Sequence, residues 1–226
     1  MEPATILFIA LGAIVMFLCS LLCRNLFDFS LVKTILISLL LTVAGVASVV
    51  LMFFFENGHF GGVSFFGAVL FVPLLLIPFA LLLKIRWRDY LDIAAPMVSA
   101  MLAVMKINCL RAGCCAGIVL RYNNGEPVRF PSQIVEMAVA LAICGLLIWT
   151  IRIHFLPGAV YPLFMITYGA TRFALNLLRE TTGVFYGFAI GNVWAVVSVI
   201  IGIIWIVSYS VCKKRHGRTD TFSKVE

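Results

Sequence analysis

The chain has 226 residues, of which 63% are hydrophobic and only 12% are charged, about half the charged fraction of a soluble domain. This composition excludes a water-soluble fold, because too few polar residues remain to cover its surface, and it predicts an all-α polytopic membrane protein. The formal net charge of +7 is divided among short loops without any nucleic-acid-binding motif, so nucleic acid is excluded as a partner.

Hydropathy and breaks in charge predict seven membrane spans in a single membrane domain, residues 1–212, followed by a basic cytoplasmic tail, residues 213–226. The predicted spans cover residues 4–23, 31–55, 63–83, 91–108, 134–151, 159–178 and 188–211. Pro73 and Pro78 are expected to bend the third span, and the fourth span has the weakest hydropathy signal. Residues 1–23 lack a basic segment and a clear cleavage site, so we expect a retained first span.

The distribution of Lys and Arg predicts the orientation of these spans. With the N-terminus outside and the C-terminus in the cytoplasm, eleven of the 17 basic residues lie on the inner side, which agrees with the positive-inside rule. The exceptions share the outer face and are Lys106, Arg111, Arg121, Arg129, Arg172 and Arg179. Two interpretations remain open: these residues coordinate an anionic head group or a developing oxyanion, or they belong to a tolerated exposed basic loop.

The segment Lys106–Glu136 concentrates polar residues within this apolar chain, with the sequence KINCLRAGCCAGIVLRYNNGEPVRFPSQIVE. Charge and irregular backbone beside membrane spans are costly, so we expect the segment to line a cavity or to carry function. Three further motifs flank it along the chain. They are a glycine-rich stretch, GGVSFFGA at 61–68, the run YGATRFALNLLR at 168–179, and Gly191-Asn192 at the start of the last span.

In this order, the motifs resemble those of the prolipoprotein diacylglyceryl transferase family over roughly residues 58–205. The most specific parts are Pro-Ser-Gln-x-x-Glu at 131–136 and Tyr-Gly-x-x-Arg-Phe at 168–173, followed by Arg179. The resemblance implies a seven-span enzyme of the bacterial cytoplasmic membrane with its site at the outer face. Such an enzyme moves the diacylglyceryl group of phosphatidylglycerol to the thiol of the lipobox cysteine of a prolipoprotein and releases glycerol 1-phosphate.

The implied partners are therefore phosphatidylglycerol or another anionic phospholipid, the lipobox segment and the membrane, and no cofactor is expected. The transfer requires an acceptor thiolate and a stabilised phosphate leaving group. We expect Arg172 and Lys106 to be catalytic at the phosphate. The side chains expected to bind substrate are Arg179, Arg129, Arg111, Gln133, Glu136 and Asn108.

The chain departs from the family pattern at five of these motif positions. Phe66 stands in place of a histidine, Lys106 of an arginine, Cys109 of an asparagine, Asn176 of a glutamate and Asn192 of a glutamine. His59 lies on the same side, and we interpret it as an exposed loop residue. The departures keep a second hypothesis open, a divergent non-catalytic relative that binds anionic phospholipid or a transferase with another acceptor. A transporter is disfavoured because we find neither internal repeats nor paired broken spans.

Three cysteines near the predicted site, Cys109, Cys114 and Cys115, also leave alternatives open. Their Cys-x4-Cys-Cys spacing is not a standard zinc pattern and no histidine is nearby in sequence, so no metal is expected. The remaining interpretations are packing against small helix surfaces, a disulfide at an oxidising face, and an active thiol assisted by Lys106 or Arg111.

Overall fold

The computed structural model describes residues 3–82, 86–123, 126–155, 157–179, 184–185 and 188–222, and it is predominantly helical. The helices are α1 Pro3–Cys23, α2 Leu31–Asn57, α3 Phe66–Leu70, α4 Val72–Leu82, α5 Trp87–Arg111, α6 Ser132–Arg152, α7 Val160–Asn176 and α8 Ile190–Phe222. A 3₁₀ turn at Arg24–Leu26 follows α1. Within the same residues, the strands pair as two antiparallel hairpins, β1 Val119–Asn123 with β2 Glu126–Arg129 and β3 Val184–Phe185 with β4 Phe188–Ala189.

The length and apolar composition of the helices are consistent with the predicted class of helical membrane protein. Among the described residues, five stretches are long and apolar enough to cross a bilayer: Ile6–Leu26, Leu31–Asn57, Trp87–Arg111, Ser132–Arg152 and Ile190–Val211. The third and sixth predicted spans form shorter helices. The sixth corresponds to α7, which has 17 residues, and the third is divided into α3 and α4. The count of seven spans and the orientation therefore stay predictions. Lys84 is one of the eleven basic residues assigned to the inner side. It lies outside the described residues, as do residues 223–226 of the predicted tail.

The third predicted span consists of α3 and α4, which meet at Phe71. Pro73 is the second residue of α4, a position where proline is tolerated because the first helical N–H groups have no partner within the helix. The glycine-rich motif allows α3 to approach α2 closely. A β-carbon at Gly67 would lie 2.0 Å from the carbonyl oxygen of Ser48, so only glycine permits this contact.

The central helix is α5, which runs without interruption through Pro96 and is buried over most of its length. It packs against α1 and α6 and also contacts α7. Its hydroxyl group at Ser99 donates to the carbonyl oxygen of Ala140 in α6, at 2.8 Å. A helix surrounded by other helices needs small and mildly polar side chains more than large apolar ones. This position explains why its hydropathy signal is the weakest of the seven.

A buried carboxylate ties α5 to α7 at the end opposite Lys106. Asp92 is 2% exposed and accepts hydrogen bonds from the backbone N–H groups of Gly158, at 2.5 Å, and Val160, at 2.9 Å. These are N–H groups at the start of α7 that have no partner within the helix. Sequence reasoning did not single out Asp92, because its partners lie more than sixty residues away.

Candidate functional site

The centre of the site is the carboxylate of Glu136, which lies on the second turn of α6 and is 3% exposed. Lys106 from α5 and Arg172 from α7 both form ion pairs with its Oε2. The Nη1 of Arg179, just beyond α7, lies 3.8 Å from its Oε1. The structure therefore brings together the two predicted catalytic residues and two of the predicted substrate-binding residues.

The charges of this cluster do not balance. Three cations surround one carboxylate, and the Lys106 and Arg172 side chains are only 11% and 15% exposed. Charges are screened weakly in such a site, so an excess of positive charge attracts an anion strongly. The cluster also has unused hydrogen-bonding capacity. The Nε of Arg172 and the Oδ1 of Asn108 are buried without a hydrogen-bond partner among the described residues, which is uncommon unless a ligand or water completes the site.

A cavity of about 370 Å³ leads to the cluster. Its polar end is lined by Lys106, Arg172 and Arg179 together with three cysteines. The remaining lining is apolar and comes mainly from α1, α2 and α5, including Ile9, Met16, Leu41, Val46, Met101 and Leu102. An apolar cavity that ends in cations can accommodate an amphiphile with an anionic head group.

A cysteine-bearing turn follows α5 and contacts the start of α6. Gly113 (φ +66°) ends α5, and Cys115 (φ +64°) adopts the same left-handed conformation, which costs a residue with a side chain roughly 1 to 2 kcal/mol. Two side chains of α6 hold this turn. The Ser132 hydroxyl donates to the carbonyl oxygen of Cys115 at 2.6 Å, and the Gln133 Nε2 donates to that of Cys114 at 2.8 Å. Gln133, predicted to bind substrate, therefore contacts the cysteine turn.

The two residues that precede β1, Gly117 and Ile118, pair with the end of α7. The N–H of Ile118 donates to the carbonyl oxygen of Leu178 at 3.2 Å, and Gly117 forms a β-bridge with Arg179. This pairing fixes the backbone from which Arg179 reaches the cavity.

Arg179 belongs to the described cavity lining, whereas the other predicted substrate-binding residues do not: Arg111, Arg129, Gln133, Glu136 and Asn108. Two of these, Arg111 and Arg129, are exposed on the surface. Arg111 is exposed at the last residue of α5. Arg129 is exposed at the end of β2, and its Nη1 donates to the carbonyl oxygen of Gly117 at 3.3 Å. Their exposure depends on how the end of α5 and the hairpin pack, which local sequence patterns do not specify.

The three cysteines of the segment converge in space. Cys109 lies in the last turn of α5, Cys114 is exposed and Cys115 is half-buried, and their Sγ atoms all lie within 4.8 Å of one another. All three are free thiols. A hydrogen bond with Cys109 and the nearby charges of Lys106 and Arg179 lower the pKa of the Cys115 thiol. Packing alone does not explain a cluster that includes an exposed thiol and lines a cavity.

Two of the residues that depart from the family pattern, Phe66 and Asn176, are buried. Phe66 is buried, and its ring packs against Tyr168 with centroids 5.6 Å apart. Asn176 is also buried. His59 is exposed, with its Nδ1 3.0 Å from the carbonyl oxygen of Asn57, as predicted for a loop residue. No histidine side chain lines the cavity within the part of the chain that the structure describes.

Comparison with known proteins identifies the family of the chain. A family model described as prolipoprotein diacylglyceryl transferase matches residues 6–208. Three similar proteins carry the name phosphatidylglycerol–prolipoprotein diacylglyceryl transferase. The protein from Teredinibacter turnerae is 32% identical over 53% of this chain and 45% of its own length. Those from Nitrosomonas europaea and Vibrio atlanticus are 32% and 31% identical, over 56% and 65% of this chain and 49% and 58% of their own lengths. The chain thus spans about half the length of the curated relatives it matches.

Proposed function

The chain belongs to the prolipoprotein diacylglyceryl transferase family, and we propose that it transfers the diacylglyceryl group of phosphatidylglycerol to the thiol of a prolipoprotein lipobox cysteine. The names of its relatives state both substrates. The observation that carries the proposal is the cluster of Lys106, Arg172 and Arg179 around Glu136 at the end of an apolar cavity.

In the proposed complex, the acyl chains occupy the apolar part of the cavity and the phosphodiester meets the three cations. The acceptor sulfur attacks the glyceryl carbon, the carbon–oxygen bond to phosphate breaks, and the electron pair remains on the phosphate oxygen. Negative charge therefore grows on that phosphate during the reaction. Lys106 and Arg172 stabilise it, and preorganised donors of this kind typically contribute about 10²- to 10³-fold to the rate.

Glu136 has a positioning role in this scheme. The three cations are largely removed from water, so they would repel one another and separate without a shared counter-ion. The carboxylate holds Lys106 and Arg172 on one oxygen and faces Arg179 with the other. The cations are then in place before the lipid binds, which reduces the reorganisation needed in the transition state.

We further propose that residues 1–212 form one seven-span domain of the bacterial cytoplasmic membrane, with the N-terminus and the site at the outer face and residues 213–226 in the cytoplasm. The end of α5, the start of α6 and the end of α7 meet at the site. The distribution of Lys and Arg supports an outer position for this end of the bundle. Protease accessibility of N-terminal and C-terminal tags in intact spheroplasts tests the orientation.

The transfer is tested by incubating the purified protein with labelled phosphatidylglycerol and a lipobox peptide and detecting the thioether product by mass spectrometry. We expect Arg172→Gln to lower the rate about 100-fold or more. The matched control is Arg121→Gln, because Arg121 is an exposed arginine of β1 on the same side of the molecule. Equal rates for Arg172→Gln and the wild type would refute the role of Arg172. A wild-type protein that binds the lipid but makes no thioether would favour the non-catalytic alternative.

A further inference from the structure

The three thiols at the polar end of the cavity have the geometry of a ligand set. The Sγ atoms of Cys109, Cys114 and Cys115 lie within 4.8 Å of one another. Zinc binds thiolate sulfur at about 2.3 Å, so three sulfurs of a tetrahedral zinc site are about 3.8 Å apart. The observed cluster therefore needs to contract by no more than about 1 Å to hold the ion.

We propose that Cys109, Cys114 and Cys115 bind one Zn²⁺ and leave its fourth coordination position open to the cavity, where it takes the thiol of the acceptor cysteine. This inference rests on the transferase function proposed above. Structural zinc sites are closed by four protein ligands, whereas catalytic sites supply three and keep one position for substrate. The Cys-x4-Cys-Cys spacing did not indicate such a site. The sulfurs come together because the backbone turns at Gly113 and Cys115.

The surroundings suit the charge of such a centre. Zinc with three thiolates carries one negative charge, and a fourth thiolate adds another. Lys106 and Arg179 line the same cavity as the three cysteines, so cations are available to offset a charge that would be costly beside a membrane. The turn is also held firmly, because Ser132 and Gln133 bind the carbonyl oxygens of Cys115 and Cys114. Support of this kind orients metal ligands and tunes their affinity.

The proposed ion would promote deprotonation of the acceptor thiol. The described cavity lining contains no histidine that could act as the base for this step. A free cysteine thiol has a pKa of about 8.5 and must lose its proton to become the nucleophile. Coordination to zinc deprotonates a thiol, and the proton passes to water. The zinc-bound sulfur then attacks the glyceryl carbon, forming the carbon–sulfur bond as the carbon–oxygen bond breaks. The electron pair stays on the phosphate oxygen, no group is oxidised or reduced, and the neutral thioether, a weak ligand, leaves.

Direct attack on the glyceryl carbon by one of the three protein thiols is chemically unproductive. That reaction would leave the diacylglyceryl group on the enzyme as a thioether, whose carbon–sulfur bond resists further displacement by a thiol. The protein would be consumed after a single turnover. Repeated turnover therefore requires the acceptor thiol, and not one of the three protein thiols, to attack the lipid.

Binding of the metal is tested first, without lipid, by titrating metal-free protein in detergent with Co²⁺. Thiolate-bound tetrahedral Co²⁺ has strong charge-transfer and d–d absorption bands, and we expect one equivalent to bind and to be displaced by Zn²⁺. Cys115→Ser should weaken binding roughly 10- to 100-fold or more, by comparison with losses of supporting groups at known sites. The matched control is Cys144→Ala, which removes a buried thiol at the interface of α5 and α6. Absence of stoichiometric binding, or equal binding by Cys115→Ser, overturns the site.

The open position is tested by adding a lipobox peptide to the Co²⁺-loaded protein. The spectrum should change as a fourth thiolate binds, whereas a peptide with serine in place of the acceptor cysteine should leave it unchanged. An unchanged spectrum with both peptides overturns the open position. Transfer is then measured with and without Zn²⁺. Full transfer by metal-free protein overturns the catalytic role of zinc while the transferase function stands. Zinc and peptide binding without any thioether product overturns the transferase function and leaves the site intact.

Discussion

Replacing Glu136 with glutamine removes the carboxylate shared by three cations. The substitution preserves the shape of the side chain, so its effect is mainly electrostatic. Because Lys106 and Arg172 are 11% and 15% exposed, water cannot fully solvate the charges left behind. Removing one partner of a buried ion pair typically costs about 3 to 5 kcal/mol. For a chain of this size, that loss lowers the melting temperature by roughly 6 to 20 °C.

The assay is thermal unfolding of the purified variant in an uncharged detergent, repeated with added phospholipid. A ligand that binds the folded protein raises the melting temperature according to its affinity. The phosphate of phosphatidylglycerol supplies the negative charge that Glu136→Gln lacks. We therefore expect phosphatidylglycerol to stabilise the variant more than it stabilises the wild type, and zwitterionic phosphatidylcholine to show a smaller difference.

The matched control is Glu126→Gln, which removes an exposed carboxylate of β2 and should change stability by no more than about 0.5 kcal/mol. The reasoning is refuted if Glu136→Gln unfolds at the wild-type temperature. Equal stabilisation of the variant by both lipids would also refute it, because the cluster would then not discriminate an anionic head group.

Three further substitutions test the packing of the helices and the cavity. Gly67→Ala places a methyl group against the Ser48 carbonyl oxygen and should cost about 1 to 3 kcal/mol in thermal unfolding, whereas Gly45→Ala, with open space around its added carbon, should be tolerated. Asp92→Ala leaves two N–H groups at the start of α7 without their acceptor and should cost about 2 kcal/mol; wild-type stability would contradict the capping role. Gly45→Phe projects a ring into the cavity and should raise KM for long-chain phosphatidylglycerol more than for a short-chain analogue; equal effects would place the acyl chains elsewhere.

Much of the fold and part of the site could be predicted from sequence. The length of the apolar stretches indicates membrane helices, because a helix must be about 20 residues long to cross the hydrocarbon core. The spacing of Pro-Ser-Gln-x-x-Glu and of Arg172 and Arg179 indicates the family, and the family model confirms it. These patterns were enough to group Lys106, Glu136 and Arg172, which the structure joins through ion pairs.

Other features depend on contacts between distant parts of the chain. The hydropathy of α5 is the weakest of the predicted spans although it is the central helix, because a helix that its neighbours shield from lipid can carry fewer apolar side chains. Arg111 and Arg129 carry the same charge as Arg172, and their sequence gives no sign that they lie outside the cavity. Gln133 belongs to a family motif, yet its amide binds the carbonyl oxygen of Cys114.

The sequence by itself determined the membrane class and the family, because these follow from composition and from the spacing of short motifs. Only the tertiary structure decided which charges share Glu136, where the cavity runs, and that three cysteines meet within 4.8 Å. The physical reason is that two backbone turns at Gly113 and Cys115 and the packing of α5, α6 and α7 set the direction of these side chains. Neither is encoded in the spacing of the residues along the chain.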